Sequence, residues 1–220
     1  MSTLVIKRFV SLYVTMWVAG NLLAGDNLGD TVECANLIYS GTKSSVCFSE
    51  KFLAVVAAQT SVNTCRKFKP VKLGETELFR YPFAVMTGEG SFTLTEAERV
   101  NLKRYLEKGG FLLASAGCSS KEWDESFRRE FKLIFPDRAL VTVPLDHPIF
   151  RSVTDITRLA TKGADAHLEG LTLHDKIVLI YSGDGLNDTA TMHGCCCCGG
   201  NEIHNAQQVN VNILVYALLQ

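Results

Sequence analysis

The stretch from Phe83 to Ala116 limits the fold more than any other part of the chain. Phe83-Ala84-Val85-Met86-Thr87 is a short apolar run ending in Gly88-Glu89-Gly90, the pattern of a buried strand entering a flexible loop. Thr95-Glu96-Ala97-Glu98 follows with capping-box spacing: the Thr95 hydroxyl is placed to accept a bond from the Glu98 amide, and the Glu98 side chain to return one. Leu102, Tyr105 and Leu106 give that helix its apolar stripe, and Lys108-Gly109 supplies the cation and the glycine that suit its end. Phe111 to Ala116 is a second buried run, closed by Gly117-Cys118-Ser119-Ser120. Strands separated by a helix of this length predict parallel pairing, in a sheet with helices on its faces.

The rest of the chain extends this alternation. Val32 to Tyr39 reads as a buried strand ending at Ser40-Gly41, and Ser49 precedes a helix over Glu50 to Ala58. Val62 to Phe68 reads as a weaker, polar edge strand. Lys121 to Phe135 is an amphipathic helix with Trp123, Phe127, Phe131 and Ile134 on one side, stopped by Pro136-Asp137. A short strand at Ala139 to Val143, a turn segment from Leu145 to Phe150, a strong strand at Lys176 to Tyr181 and an apolar helix over Asn205 to Leu219 complete the order. The fold class expected is therefore α/β, three-layered, with a mostly parallel open sheet. The 220 residues are 47% hydrophobic and 20% charged, without a visible repeat or Pro/Ser-rich linker, so residues 26–220 read as one globular domain.

Residues 1–25 stand apart. Lys7-Arg8, the apolar run Phe9 to Leu23 and the small pair Ala24-Gly25 have the basic, apolar, small order of a secretory signal peptide. The apolar run is shorter than the roughly 20 residues of a bilayer span, and Asn21 interrupts it. The expectation is an exported, periplasmic or envelope-associated protein, touching the membrane only through this segment if it is retained. Its partner would be an envelope protein or a small ligand. A formal charge of −1, with no basic stripe interleaved with aromatics, argues against nucleic acid.

In an open parallel sheet the loops after the strands share one edge, where ligands bind. On this reading that edge collects Cys47, Glu89, Cys118 and the segment containing His193, Cys195-Cys196-Cys197-Cys198, Glu202 and His204. Cys195 and Cys198 have the C-x-x-C spacing that can hold zinc or another transition metal, with Cys47, Cys118, His193 or His204 as further donors. An oxidising compartment makes a disulfide between this run and Cys47 or Cys118 an equal alternative. A third possibility is nucleophilic catalysis by Cys118, placed between a buried strand and a helix start that favours thiolate. His193 or His204 would then be the base, and Glu89 or Glu202 the orienting carboxylate. Cys34 and Cys65 fall inside expected strands and read as core thiols. His167 and His174 read as surface residues, and Asp146-His147-Pro148 as a turn capped by Asp146.

The segments Leu78-Phe79-Arg80-Tyr81-Pro82-Phe83, Leu94-Thr95 through Tyr105 to Leu112, Pro144-Leu145-Asp146-His147-Pro148-Ile149-Phe150 and the closing helix from Asn210 to Leu218 together resemble the bacterial domain-of-unknown-function family 4159, from about Cys34 onward. The resemblance implies a flavodoxin-like, class I glutamine-amidotransferase-like architecture and brings no established reaction. The resemblance implies that Cys118 is the position corresponding to the amidotransferase cysteine. Ala116-Gly117-Cys118-Ser119-Ser120 departs from the Gly-x-Cys-x-Gly pattern, and the late His-Pro-Glu of those enzymes is missing, so glutaminase activity is not expected.

Overall fold

The computed structural model describes residues 31–44, 48–163, 165–187 and 202–220. Its strands are β1 (Cys34–Ile38), β2 (Lys69–Lys72), β3 (Phe83–Gly88), β4 (Phe111–Ala116), β5 (Val141–Thr142), β6 (Glu169–Leu173) and β7 (Lys176–Ser182), in one sheet of order β2-β1-β3-β4-β7-β6-β5. The first five in that order run parallel; β6 is antiparallel to β7, and β5 to β6. Helices α1 (Lys51–Gln59), α2 (Glu96–Glu107), α3 (Lys121–Ile134) and α4 (Ala206–Leu218) cover it. The architecture is the expected three-layer α/β fold with a mostly parallel sheet, and the β2-β1-β3-β4-β7 run has flavodoxin-like order.

Alternation along the strands separates the two faces. Ala84 and Met86 of β3, with Leu112 and Ala114 of β4, pack with Leu102, Tyr105, Trp123 and Phe127 of α2 and α3. Phe83, Val85, Phe111 and Leu113 turn the other way, against Phe52 and Val56 of α1 and Val209 and Ile213 of α4. Near-continuous apolar strands are what a parallel sheet buried on both faces requires.

Local chemistry sets the ends of the elements. The capping box forms: Thr95 Oγ1 accepts from the Glu98 amide at 3.2 Å, and Glu98 Oε2 accepts from the Thr95 amide at 2.7 Å. Glu98 Oε1 also accepts from the Ser40 amide at 2.8 Å, tying α2 to the loop after β1. Trp123, fully buried on α3, donates through Nε1 to the Tyr39 hydroxyl at 2.7 Å, which donates to the Thr87 carbonyl at 3.0 Å. Burial pushes the Tyr39 phenol up to about 12, opposed by the bond from Trp123. Gly88 is required beside this chain, because a Cβ there would lie 2.4 Å from the Tyr39 hydroxyl.

Several sequence expectations are corrected. The edge strand is Lys69–Lys72, not Val62 to Phe68; of the earlier run only Thr64 bridges Val32. Pro70 speaks against a strand, yet an outermost strand tolerates a missing amide, and only Val71 of the four is buried. Cys65 consequently lies outside the strands. The strand expected at Ala139 to Val143 is reduced to Val141–Thr142. β6 was not foreseen; it joins β7 through His174-Asp175, both at positive φ (50° and 62°), a turn that the sequence does not announce with Asn-Gly or Asp-Gly.

In the Asp146-His147-Pro148 turn, the cap is His147: its Nδ1 accepts from the Ile149 amide at 3.2 Å while the ring packs edge-on to Tyr216. Burial lowers its pKa from the usual 6.5, against the opposing charge of Asp146. Because the unfolded chain then takes up a proton first, stability is complete above 6.5 and declines as pH falls through the folded pKa. Thermal melts at descending pH should show this loss, and His147→Asn, which keeps a capping acceptor without titrating, should lessen it. Gly88→Ala should cost about 1–3 kcal/mol in urea unfolding, since the new methyl overpacks against Tyr39 and Trp123.

Candidate functional site

β4 is buried at every residue and ends in a 3₁₀ turn, Gly117–Ser119, from which Ser120 caps α3. Cys118 sits in the left-handed region at φ 52°, ψ 30°, and Ser119 also has φ 52°. Each such non-glycine residue costs about 1–2 kcal/mol, so the turn must be held by its surroundings. The Cys118 amide donates to Glu202 Oε1 at 3.2 Å, and the Ser119 hydroxyl donates to the Asp184 carbonyl at 2.6 Å. Ser120 Oγ accepts from the Gly90 amide at 3.1 Å and from the Trp123 amide at 3.4 Å. Loops after β3, β4 and β7 are thereby joined at the carboxyl edge of the sheet.

The thiol at this turn faces a carboxyl group. Cys118 Sγ lies 3.3 Å from Glu89 Oε1, within reach for the S–H to donate. Gly117 admits this approach: a Cβ on it would stand 2.9 Å from the Gly88 carbonyl and 3.2 Å from Glu89 Cγ. Gly185, at φ 107°, lets Glu202 approach from the other side, where a Cβ would be 3.0 Å from Glu202 Cγ. Beneath them Asn187, 1% exposed, accepts from the Thr87 hydroxyl at 3.2 Å through Oδ1. The arrangement can present a thiol whose proton already has an acceptor, which is the geometry of a nucleophile beside its base.

Residues 34–218 match the family model described as Domain of unknown function (DUF4159), a span running from the first residue of β1 to the last of α4. The chain belongs to the DUF4159 family. No curated protein matches it. The whole sheet, the Cys118 turn and both flanking glutamates therefore lie within the DUF4159 domain, whose family description carries no reaction.

Of the residues singled out from sequence, the DUF4159 fold brings together Cys118, Glu89 and Glu202. His204 is exposed; its amide donates to the Ala160 carbonyl, and among the described residues no hydrogen bond joins its ring to Cys118 or Glu89. His193, Cys47, Cys195 and Cys198 lie outside the described residues. Among the described residues no group of three or more His, Cys, Asp or Glu side chains is placed to hold a metal, and no disulfide links Cys34, Cys65 and Cys118 to one another. Cys34 is a core thiol as expected, pushed up to about 12 by burial and then by Cys65. His167 and His174 are exposed. Sequence reading passed over Asn187, whose only signal was its place in the loop after the last strand.

The strain at Cys118 is measurable. Cys118→Gly should raise unfolding free energy by about 0.5–1 kcal/mol, because glycine enters the left-handed region without steric cost but loses more chain entropy. Cys118→Ala, which keeps the strained Cβ, should not; paired urea titrations of the two variants separate the effects.

Proposed function

We propose that this DUF4159 domain is a thiol-dependent acyl-transfer enzyme, hydrolase-like or amidotransferase-like, with Cys118 as nucleophile and Glu89 as the acceptor of its proton. The observation that supports it is the 3.3 Å approach of Cys118 Sγ to Glu89 Oε1 at a strained strand-to-helix turn. In attack, sulfur bonds the carbonyl carbon as the thiol proton passes to Glu89. Collapse of the adduct expels an alcohol or amine, which takes that proton. Water then cleaves the thioester, and the thiol regains its hydrogen. Glu89 is the proposed base in place of His204 because, among the described residues, it meets the sulfur; His193 lies outside them.

A second reading is a non-catalytic binding or assembly module of the cell envelope. In it the chain is exported behind residues 1–25, and Cys118 joins Cys195, Cys198, Cys47 and His193 in a site for zinc or another transition metal, or in a disulfide. An envelope protein or a small ligand would be its partner. What favours this is Glu202: it follows the cysteine run closely in sequence, and its carboxylate holds the Cys118 amide.

Acetylation by p-nitrophenyl acetate, mapped by peptide mass, tests the first reading. Cys118 should be acetylated selectively over Cys34 and Cys65, and Glu89→Gln should slow it at least about 100-fold, as loss of a general base does. Acetylation of Cys118 no faster than that of Cys65 would defeat the enzymatic reading. A metal ion released on denaturation in native mass spectrometry, or a mass lowered by pairs of hydrogens, would establish the second.

A further inference from the structure

The buried amide of Asn187 is incompletely paired. Its Oδ1 accepts from the Thr87 hydroxyl at 3.2 Å, whereas Nδ2 has no hydrogen-bond partner among the described residues. A side chain only 1% exposed rarely leaves a donor unmet, because burial removes the water that would otherwise satisfy it. The Thr87 bond holds the amide in one orientation, and Thr87 is itself fixed through its carbonyl, which accepts from the Tyr39 hydroxyl at 3.0 Å.

The donor stands at the Cys118 turn. Asn187 Nδ2 and Glu89 Cγ lie 3.3 Å and 3.2 Å from one point, the position that a side-chain carbon on Gly117 would take. Gly117 precedes Cys118, and the carboxyl group of Glu89 meets the Cys118 sulfur. A fixed N–H, unpaired among the described residues, therefore borders the same turn as the thiol and its proton acceptor. What such a donor lacks is an acceptor atom, and acyl transfer creates one: the carbonyl oxygen that gains charge as sulfur adds.

We propose that Asn187 Nδ2 donates the hydrogen bond that stabilises this oxygen when an acyl group is attacked by Cys118. The inference rests on the thiol-dependent reading above and specifies its substrate as a compound with a carbonyl oxygen at the attacked carbon. With p-nitrophenyl acetate as the acyl donor, the S–C bond forms at the acetyl carbon, p-nitrophenolate leaves and the thiol proton goes to Glu89. The oxygen that Asn187 receives is that of the acetyl group.

The test compares two reagents on the full chain, with Cys118 modification followed by peptide mass: p-nitrophenyl acetate, whose carbonyl oxygen gains charge, and iodoethane, which has no oxygen. Asn187→Ala should slow acetylation about 100-fold and leave alkylation within about twofold, the selective loss expected on removing one oxyanion donor. If the alanine variant does not fold, Asn187→Asp, which keeps an acceptor for Thr87 and puts a carboxylate oxygen in place of the donor, is judged by the same ratio, because the effect of its charge on the thiol enters both reactions. Acetylation and alkylation falling together, or neither changing, would overturn the role of Asn187 while leaving the enzymatic reading intact. Absence of Cys118 acetylation in the wild-type chain would remove that reading and this inference with it, and the failure would be evident before any variant was made.

Discussion

The carboxyl edge of this protein is governed by the way β4 ends. Every residue of that strand is buried between two helical layers, yet the chain must leave the sheet and begin α3 within four residues. It does so through two successive residues in the left-handed region, neither of them glycine. Helix capping by Ser120, the Glu202 bond to the Cys118 amide and the Ser119 bond to the loop after β7 offset that strain. Each such bond contributes about 0.5–1.5 kcal/mol, enough in sum to hold a conformation that costs about 1–2 kcal/mol per residue. A thiol at the site is thus a consequence of tertiary support, not of local preference.

A polar chain beneath the turn makes the support rigid. Trp123 of α3 donates to Tyr39 beyond β1, Tyr39 donates to the carbonyl of Thr87 in β3, and the Thr87 hydroxyl donates to Asn187 beyond β7. Four segments far apart in sequence are linked by bonds that a dry interior strengthens and makes costly to break. The glycines fit this arrangement: Gly88 clears Tyr39, and Gly117 clears Gly88 and Glu89. Loops after parallel strands are drawn together here by side chains, whereas the sheet itself positions only their first residues.

Much of the fold was legible because its signals are local. The capping box at Thr95, the stripe of α3 and the apolar runs of β3 and β4 all depend on neighbours within a turn or two of the same element. What escaped depended on partners. β2 contains Pro70 and two lysines and becomes a strand only by pairing with β1 at the sheet edge. β6 is recognisable through its pairing with β7 and a His174-Asp175 turn of unusual composition. His147, not Asp146, caps its turn because packing on Tyr216 orients the ring.

The site divides along the same line. Sequence alone determined that loops after β3, β4 and β7 share one edge, and hence that Glu89, Cys118 and Glu202 belong to one neighbourhood, since parallel strands order their ends irrespective of side-chain detail. It also determined membership in the DUF4159 family, through residues spread over nearly the whole sheet. Only the tertiary structure decided that Glu89 meets the sulfur, that Glu202 holds the Cys118 amide, and that Asn187 lies under the turn with a donor unpaired among the described residues. Those outcomes depend on close approaches, at hydrogen-bond distance, between segments remote in the chain, which are set by packing and by the absence of a Cβ at Gly117, and composition and spacing do not encode them.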